Sequence, residues 1–301
     1  MTNIIKLLIT IAIFYILSTY IDVENFLQIL QDSQVSFLLL ALLMQLLSTI
    51  FASYRWMLIM HELVFKEDFL FYLHSYFKGT FFNQILPSSI GGDAFRVIEL
   101  SQKGYGKRDS FYGILVDRVI GLLGLVILNF AFSIVFDDIF PAWLYQIVYL
   151  IAFVAITGFT ALLYVHKLTF FNKYKVTDIF LRLSRRLSEL YTSKKLLNYH
   201  LFITILVHLF SIFSIYFISL SIGLNLDMQT LIIATPLVFL LTIIPISLAG
   251  WGVRESSFVG ILLLVGATKE SVLALSIIYG IILILTAIPG AYFWVKSKKT
   301  T

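Results

Sequence analysis

The sequence predicts an all-α, polytopic membrane helix bundle. The chain of 301 residues is 59% hydrophobic and only 13% charged, whereas soluble domains are about one-quarter charged. Its mean hydropathy of +0.94 is too high to be hidden in a soluble core, and several apolar stretches are long enough to span a bilayer. The chain has no cysteine, which excludes disulfides and thiolate chemistry.

Apolar segments give the predicted helices in chain order. Residues 1–20 hold one lysine and no small-residue cleavage site, so we interpret them as a first membrane helix and not as a removed signal peptide. The predicted apolar segments are 4–20, 37–54, 69–86, 119–136, 143–165, 199–222, 230–248, 256–266 and 272–294. No linker or polar block is large enough to mark a soluble domain, so the prediction is one membrane domain over residues 1–301.

The charges of the loops alternate in sign along the chain. Lysines and arginines are concentrated in residues 55–108, in residues 166–200 and at the C-terminus, whereas the loops around residues 22–32, 137–138 and 227 hold acidic residues and no Lys or Arg. Because Lys and Arg are retained on the cytoplasmic side, both termini are predicted to be cytoplasmic. This bias accounts for the basic pI, and we expect no nucleic-acid partner.

Residues 176–197 are predicted to form a helix that does not span the membrane. Apolar residues recur there at helical spacing, and Arg182, Arg185 and Arg186 occupy the remaining face. Such a helix is typical of the inner leaflet surface, where anionic lipids attract it. The alternative is a solvated cytoplasmic hairpin.

One short pattern occurs twice, each time after an apolar stretch. The stretch "LPSSIGGDAFR" at 86–96 aligns with "IPISLAGWGVR" at 244–254. The residues that correspond are Pro87 and Pro245, Ser89 and Ser247, Gly92 and Gly250, and Arg96 and Arg254, and Gly91 meets an alanine. Proline ends a helix because it lacks a donor and clashes with the preceding turn, and glycine allows close backbone approach. The pattern predicts two helical hairpins, at about 69–109 and 229–267.

The charge asymmetry gives the two hairpins opposite orientations. The first begins and ends on the basic side, whereas the second enters from the acidic side and returns there. Two re-entrant hairpins of opposite orientation are typical of inverted-repeat transporters. Each second half-helix begins with free amides and the positive end of its dipole, and Arg96 or Arg254 follows about one turn later. We therefore expect an anion site, with a lipid head group as its ligand; the alternative is two interfacial loops whose arginines snorkel.

Nearby acidic residues are expected to pair with these arginines. A charge at the bilayer centre costs about 2.5–3.5 kcal/mol or more, so we expect Asp93 and Glu255 to be partners of Arg96 and Arg254, either across the repeat or locally. Asp117 and Arg118 lie at the predicted inner end of the helix 119–136, and neighbours on a helix point about 100° apart. We expect Asp117 to meet Arg96 and Arg118 to meet Asp93. The alternative for Asp117 and Arg118 is an anchor at a helix end.

No catalytic, metal or cofactor motif is present in the sequence. There is no GxSxG, HExxH, P-loop or cysteine pair, and His61, Glu62 and His74 do not have the pattern of a metal site. We expect His208, in the middle of a predicted helix, to make a neutral hydrogen bond across helices and not to relay protons.

Three motifs together resemble one membrane family. The stretches "FFNQILPSSIGGDAFR", "LVDRVIGLLGL" and "PISLAGWGVRE" are similar to the lysylphosphatidylglycerol synthase transmembrane family, the flippase-like domain of the multiple peptide resistance factor. The resemblance covers nearly the whole chain and implies a bacterial or archaeal plasma-membrane protein that translocates lipids. In bifunctional members an aminoacyltransferase domain follows the membrane part. The sequence ends at Thr301, so we assign no lysylation and expect any lipid-modifying enzyme to be a separate partner.

The sequence interpretation is a translocase for an anionic phospholipid or a polyprenyl-linked lipid. Its expected lipid-binding residues are Arg96, Arg254, Asp93, Glu255, Asp117, Arg118 and Asn83. Its expected hairpin-tip residues are Pro87, Ser89, Gly91, Gly92, Pro245, Ser247 and Gly250. One alternative is a lipid-modifying enzyme in which Asp93, Asp117 and Glu255 act as acid or base, although the nucleophile or metal cluster it needs is not evident. Another is a scaffold or regulator of an envelope lipid synthase.

Overall fold

The fold is all helical, as the sequence predicts. A computed structural model describes residues 8, 10–13, 15–16, 19, 22–85, 91–168, 178–244, 247 and 249–298, and all regular structure in them is helix. The helices are α1 (Val23–Gln31), α2 (Val35–Glu62), α3 (Phe69–Ile85), α4 (Gly91–Gln102), α5 (Lys107–Val135), α6 (Ala142–Tyr164), α7 (Asp178–Leu190), α8 (Lys194–Ser221), α9 (Met228–Thr242), α10 (Val253–Leu262) and α11 (Lys269–Lys298). Most of the predicted first helix, 4–20, lies outside the described residues.

Several helices have the length and composition of membrane spans. Within the described residues these are α2, α5, α6 with the 3₁₀ turn that follows it, α8 and α11. Helix α9 is also apolar but has only 15 residues. These spans confirm the prediction of a polytopic membrane helix bundle.

Two spans are longer than predicted. Helix α2 continues beyond Tyr54 to the end of its 28 residues, and α5 begins well before Val119. The prediction stopped each span at its first charge, but the structure pairs Arg55, Asp117 and Arg118 inside the bundle. Arg55 is therefore not in a cytoplasmic loop, and Asp117 and Arg118 lie within α5 and not at its inner end.

Helices α2, α5 and α8 pack closely through small residues. The Ser48 hydroxyl donates to the Val207 carbonyl at 2.9 Å and lies 2.9 Å from the Ser211 hydroxyl. At Gly124 of α5, a Cβ would lie 2.3 Å from Cγ2 of Thr204 on α8. Small residues favour packing in membranes because they let helix backbones approach each other. The three helices form the support for the shorter helices around them.

Helices α3 and α4 form an antiparallel pair within the predicted hairpin 69–109. Nζ of Lys78 lies 2.5 Å from Oε1 of Glu99, and Oδ1 of Asn83 accepts a hydrogen bond from the Gly92 amide at 2.8 Å. Lys78 and Glu99 are farther apart in sequence than Asn83 and Gly92, which is the pattern of two antiparallel helices joined by a turn. The hydrogen bond stabilises the pair near the turn, and the ion pair stabilises it farther from the turn.

Helices α9 and α10 form a second pair within the range 229–267. Helices α2 and α8 are antiparallel, since the Gln34 amide donates to the Ser221 carbonyl at 2.9 Å and the hydroxyls of Tyr54 and Tyr199 lie 3.4 Å apart. The first pair follows α2 and the second follows α8, so the two pairs begin at opposite ends of the bundle. This agrees with an inverted arrangement, and the re-entry of either pair into a bilayer stays a prediction.

Helix α7 is amphipathic and packs on the bundle. Its buried leucines at this contact are Leu183, Leu187 and Leu190, which lie against α2 and α5. The Ser184 hydroxyl accepts a hydrogen bond from the His166 amide at 3.1 Å. The stripe that we expected to face lipid therefore mostly faces protein, whereas Ile179 and Phe180 at the start of α7 are exposed.

Helix α11 contacts both helical pairs along its 30 residues. Near its end, a Cβ on Gly290 would lie 2.0 Å from the Phe77 carbonyl oxygen of α3. Nearer its start, a Cβ on Gly280 would lie 2.3 Å from Nη2 of Arg254. Pro289 lies inside the helix directly before Gly290.

Candidate functional site

A polar cavity lies where α2, α3, α4 and α5 meet. Its volume is about 140 Å³, and most of its lining residues have charged or hydrogen-bonding side chains. The lining residues are Arg55, Tyr76, Gly79, Thr80, Asn83, Gly92, Asp93, Arg96, Asp117 and Arg118. The structure thus brings together five of the seven residues that the sequence predicted to bind lipid, and places Arg254 and Glu255 elsewhere.

The cavity forms where two glycines bring α3 and α4 into contact. A Cβ on Gly92 would lie 2.1 Å from the Gly79 carbonyl oxygen and 2.8 Å from Oδ1 of Asn83, so only glycine fits at position 92. The Asn83 side chain accepts the Gly92 amide hydrogen and satisfies one of the free donors in the first turn of α4. Asn83 is therefore a helix cap within the cavity wall, and Gly91 is the first residue of α4.

Five charged side chains form a continuous network along the cavity. Arg96 Nη2 lies 2.5 Å from Oδ1 of Asp93, and its Nη1 lies 3.5 Å from Oδ2 of Asp117. Nε of Arg118 donates to the second oxygen of Asp93. Nε of Arg55 lies 2.8 Å from Oδ1 of Asp117. The three pairs that the sequence predicted around Arg96, Asp93, Asp117 and Arg118 are therefore confirmed as contacts.

The network carries more positive than negative charge. Three arginines face two aspartates, which leaves a net charge of +1 with all five ionised. Arg96 is 5% exposed and Asp117 is 2% exposed. Buried charges cost several kcal/mol each unless partners compensate them, and each aspartate here has two arginine partners. The uncompensated positive charge makes the cavity attractive to an anion.

Two aromatic rings fix the position of Arg96. Its guanidinium carbon lies 4.6 Å from the centre of the Trp56 ring and 5.0 Å from that of Tyr76. Each such contact contributes about 0.5–2 kcal/mol, with the larger values for groups removed from water. Arg96 is therefore held by stacking as well as by its ion pairs.

Arg55 is a site residue that sequence reasoning missed. It is 5% exposed, pairs with Asp117, and its Nη1 donates to the Thr204 hydroxyl at 3.2 Å. Gly121 of α5 has no side chain, so the Arg55 guanidinium can lie close to the α5 backbone. A Cβ at position 121 would lie 3.2 Å from Nη2 of Arg55. The apolar run "WMLIM" that follows Arg55 was the available signal, because it continues the helix beyond the arginine.

The second predicted arginine lies in a separate, sealed cluster. Nη2 of Arg254 lies 2.6 Å from Oε1 of Glu255, and the Ser276 hydroxyl donates to the same oxygen at 3.2 Å. The other Glu255 oxygen accepts the Gly252 amide hydrogen at 2.5 Å, which caps α10. Glu255 is fully buried, and the Arg254 guanidinium lies 4.6 Å from the centre of the Trp251 ring. The expected Arg254–Glu255 pairing is confirmed, and it is local.

The two clusters are not equivalent in charge. The second balances one arginine with one glutamate, whereas the first has an arginine in excess. No ion pair or hydrogen bond joins Arg96 to Arg254 within the described ranges. The second cluster contacts α2 through Tyr279 and Gln45, whose side-chain oxygens lie 3.3 Å apart. Gln45 is about 15 Å from Arg55 along α2.

The predicted tip residues are described only in part. Pro87, Ser89 and Pro245 lie outside the described residues. Ser247 is buried, and its hydroxyl has no hydrogen-bond partner in the part of the chain that is described. Gly250 has a φ of +81°, a left-handed conformation that favours glycine. This conformation agrees with its predicted place in a turn.

Two other polar residues within the spans have structural partners. His208 lies 2.9 Å from the Gly121 carbonyl oxygen through Nε2, and the Asn129 amide donates to the Ile233 carbonyl at 2.8 Å. The predicted cross-helix hydrogen bond of His208 is confirmed. The described residues contain no group of three or more side chains of the kinds that hold a metal ion.

Comparison with known proteins agrees with the resemblance seen in the motifs. A "UPF0104 membrane protein" of Methanocaldococcus jannaschii is 30% identical to this chain over 118 residues, which cover 38% of this chain and 35% of the relative. The profile of the family described as "Lysylphosphatidylglycerol synthase TM region" matches residues 3–290. The chain therefore belongs to the lysylphosphatidylglycerol synthase transmembrane-region family.

Proposed function

We propose that this protein is a lipid translocase that moves an anionic phospholipid or a polyprenyl-linked lipid across the membrane. The observation that carries the proposal is the buried cavity in which Arg55, Arg96 and Arg118 exceed Asp93 and Asp117 by one charge. Ionisable residues within a membrane bundle are costly and commonly mark a functional site, and an anionic ligand would compensate this excess. Guanidinium groups bind phosphate oxygens in a two-pronged geometry, so the ligand group is a lipid phosphate.

The cavity has the size of a phosphate group and not of a lipid. Its 140 Å³ would hold only a few water molecules at about 30 Å³ each. In the proposed mechanism the described conformation is therefore the closed one, and a head group would enter if α3 and α4 moved relative to α5. Alternating exposure of a closed site is the expected mode of an inverted-repeat transporter.

An apolar groove offers a place for the acyl chains. It lies between α5 and α6 and has a volume of about 510 Å³. Val119, Leu123 and Val126 of α5 line it, together with Leu150 and Val154 of α6. Val119 directly follows Arg118 in α5, so the groove begins beside the charged network. A lipid can thus keep its chains in an apolar environment while its phosphate moves along the bundle.

The carboxylates of the cavity favour a binding role over acid–base catalysis. Asp93 contacts Arg96 and Arg118, and Asp117 contacts Arg55 and Arg96. Each carboxylate is held by two arginines, so its oxygens are engaged in ion pairs and are not presented to a substrate proton. This supports translocation over the lipid-modifying enzyme that the sequence left open.

The proposal extends to location and partners. The Lys and Arg asymmetry supports both termini in the cytoplasm, and membership of the family supports the plasma membrane as the proposed location. Membrane lipids are the proposed ligands, and a separate lipid-modifying enzyme is the proposed partner when the transported lipid carries a modified head group. No cofactor is proposed.

The test is transport by purified protein in vesicles. Fluorescent phosphatidylglycerol, phosphatidylcholine and a polyprenyl phosphate are placed in both leaflets, and a membrane-impermeant quencher reports which head groups have crossed. We expect wild-type protein to move an anionic lipid and Arg96→Gln to move it at least about tenfold more slowly, because one charged contact to phosphate contributes about 1.5–3 kcal/mol.

Arg96→Gln is informative because it leaves two complete ion pairs. Arg55 still faces Asp117, and Arg118 still faces Asp93, so no charge is stranded. Arg96→Lys keeps the charge but loses the planar fork, so we expect partial activity. Lys194→Gln removes one exposed charge far along the chain and serves as the matched control. Transport by Arg96→Gln at the wild-type rate would rule out the cavity as the route.

A further inference from the structure

A second cavity with excess positive charge lies on the side of the protein that the sequence predicts to be cytoplasmic. It has a volume of about 240 Å³ and lies between the start of α5 and the polar face of α7. Arg108 comes from α5, and Arg182, Arg185 and Arg186 come from α7. It is distinct from the network described above, because Arg108 is about 14 Å from Asp117 along α5.

The arginines of this cavity are only partly neutralised. Arg186 donates to Asp109, and Nε of Arg182 lies 2.9 Å from Asp178. Within the described ranges, Arg108 and Arg185 have no ion-pair partner. Four arginines face three carboxylates, Asp109 and Glu189 in the cavity wall and Asp178 beside it, which leaves a net charge of +1.

The arginines of the cavity are exposed or half-buried, but the helices that carry them are held in place by packing. Residues 182, 185, 186 and 189 share one face of α7 because they are three and four positions apart. The opposite face is anchored by Leu187, which is fully buried, and by Ser184, whose hydroxyl lies 2.9 Å from Nδ1 of His166. Tyr112 of α5 is 4% exposed and forms part of the wall.

The surroundings favour a lipid over a soluble anion. On the other side of α7, an apolar groove of about 550 Å³ is lined by Val119, Leu162, Phe180 and Leu181. Phe180 is 59% exposed, an arrangement that is unfavourable in water and favourable in lipid. A ligand that contacts both the arginine-lined cavity and the apolar groove needs a phosphate at one end and hydrocarbon at the other.

We infer that the cavity between α5 and α7 binds the phosphate group of an anionic lipid from the inner leaflet, with Arg108 and Arg185 as the two unpaired ligands. The guanidinium fork matches phosphate oxygens. Its phosphate ligands are separate from the charged network of the proposed route, whereas its apolar groove shares Val119 with the groove beside that network. The proposed site is tested by measuring lipid binding, and this test does not depend on whether the protein transports lipid.

The experiment measures binding to the full-length protein in phosphatidylcholine nanodiscs. The probes are spin-labelled phosphatidylglycerol, spin-labelled phosphatidylcholine, and soluble glycerol phosphate as a competitor. We expect Arg108→Gln/Arg185→Gln to bind phosphatidylglycerol at least about tenfold more weakly, because the variant removes two charge-assisted contacts to the phosphate. Arg108→Lys/Arg185→Lys should recover only part of the loss.

The matched control is Lys194→Gln/Lys195→Gln, which removes two exposed charges outside the cavity. It should retain wild-type binding, and circular dichroism should show the same helix content for all variants. Equal weakening by the control would mean general surface attraction and would overturn the site. Unchanged binding by the Arg108→Gln/Arg185→Gln variant would also overturn it. Displacement of lipid by glycerol phosphate at the same concentration would assign the site to a soluble anion.

Discussion

Gly92 is the position where the structure makes its sharpest prediction about stability. The change Gly92→Ala adds a Cβ that would lie 2.1 Å from the Gly79 carbonyl oxygen, 2.7 Å from its carbon and 2.8 Å from Oδ1 of Asn83. Two of these atoms are backbone, so α3 and α4 must separate. The separation also stretches the hydrogen bond between the Gly92 amide and Asn83.

The expected cost follows from these contacts. Forcing extra volume into a packed contact costs about 1–3 kcal/mol, and weakening the Asn83 hydrogen bond costs about 0.5–1.5 kcal/mol. Alanine is a better helix former than glycine by up to about 1 kcal/mol, which offsets part of the loss. We expect the unfolding free energy to fall by about 1–3 kcal/mol. Arg96, one turn along α4, should lose part of its stacking on Trp56.

The measurement is unfolding in mixed micelles by titration with sodium dodecyl sulfate, followed by tryptophan fluorescence. Gly260→Ala in α10 is the matched control, because it lies in the second helical pair and a Cβ there meets nothing within 4 Å. The control should be as stable as wild type or slightly more stable. If Gly92→Ala matched Gly260→Ala, the close contact of α3 and α4 would be wrong.

Three further predictions concern charge. Asp117→Asn should lower the unfolding free energy by about 3–5 kcal/mol, because it leaves buried arginines without their partner. Arg96→Gln should lower the unfolding free energy by less. The reverse order of unfolding midpoints would refute the described pairing. Arg254→Met should lose stability along with any transport, since it leaves a buried carboxylate unpaired; a stable variant that has lost only transport would contradict a structural role for this pair. A cysteine at Asp227 should react with an impermeant maleimide from outside intact cells and one at Lys103 should not, as the loop charges predict; labelling of Lys103 from outside would reverse the assigned orientation.

The sequence was informative about the elements because membrane constraints are simple. Hydrophobicity and loop charge were enough to predict the helical class and most spans. The predicted contacts of Arg96 with Asp93 and Asp117 are also present. They could be predicted because so few charges lie near the spans that each has few possible partners.

Other features depend on tertiary contacts that a single sequence does not encode. Arg55 was placed in a loop because a charge normally ends a membrane span, and its pairing with Asp117 joins residues 62 positions apart. The repeat suggested that Arg96 and Arg254 are equivalent. In the structure Glu255 balances the charge of Arg254, whereas Arg96 belongs to a network with one arginine in excess. The apolar stripe of α7 has the same spacing whether it faces lipid or protein, so periodicity alone could not distinguish the two.

Pro289 lies inside α11 and marks a point where that helix could bend. A proline inside a helix removes one backbone hydrogen bond and creates a preferred bending point. Here the bending point lies where Gly290 meets α3, whereas Gly280 of the same helix meets the second cluster about 15 Å away. Helix α11 therefore contacts α3 beside its bending point and contacts α10 farther along its length. A tilt of α3 that opens the charged cavity would be transmitted to the opposite end of the bundle without any direct contact between the two arginines.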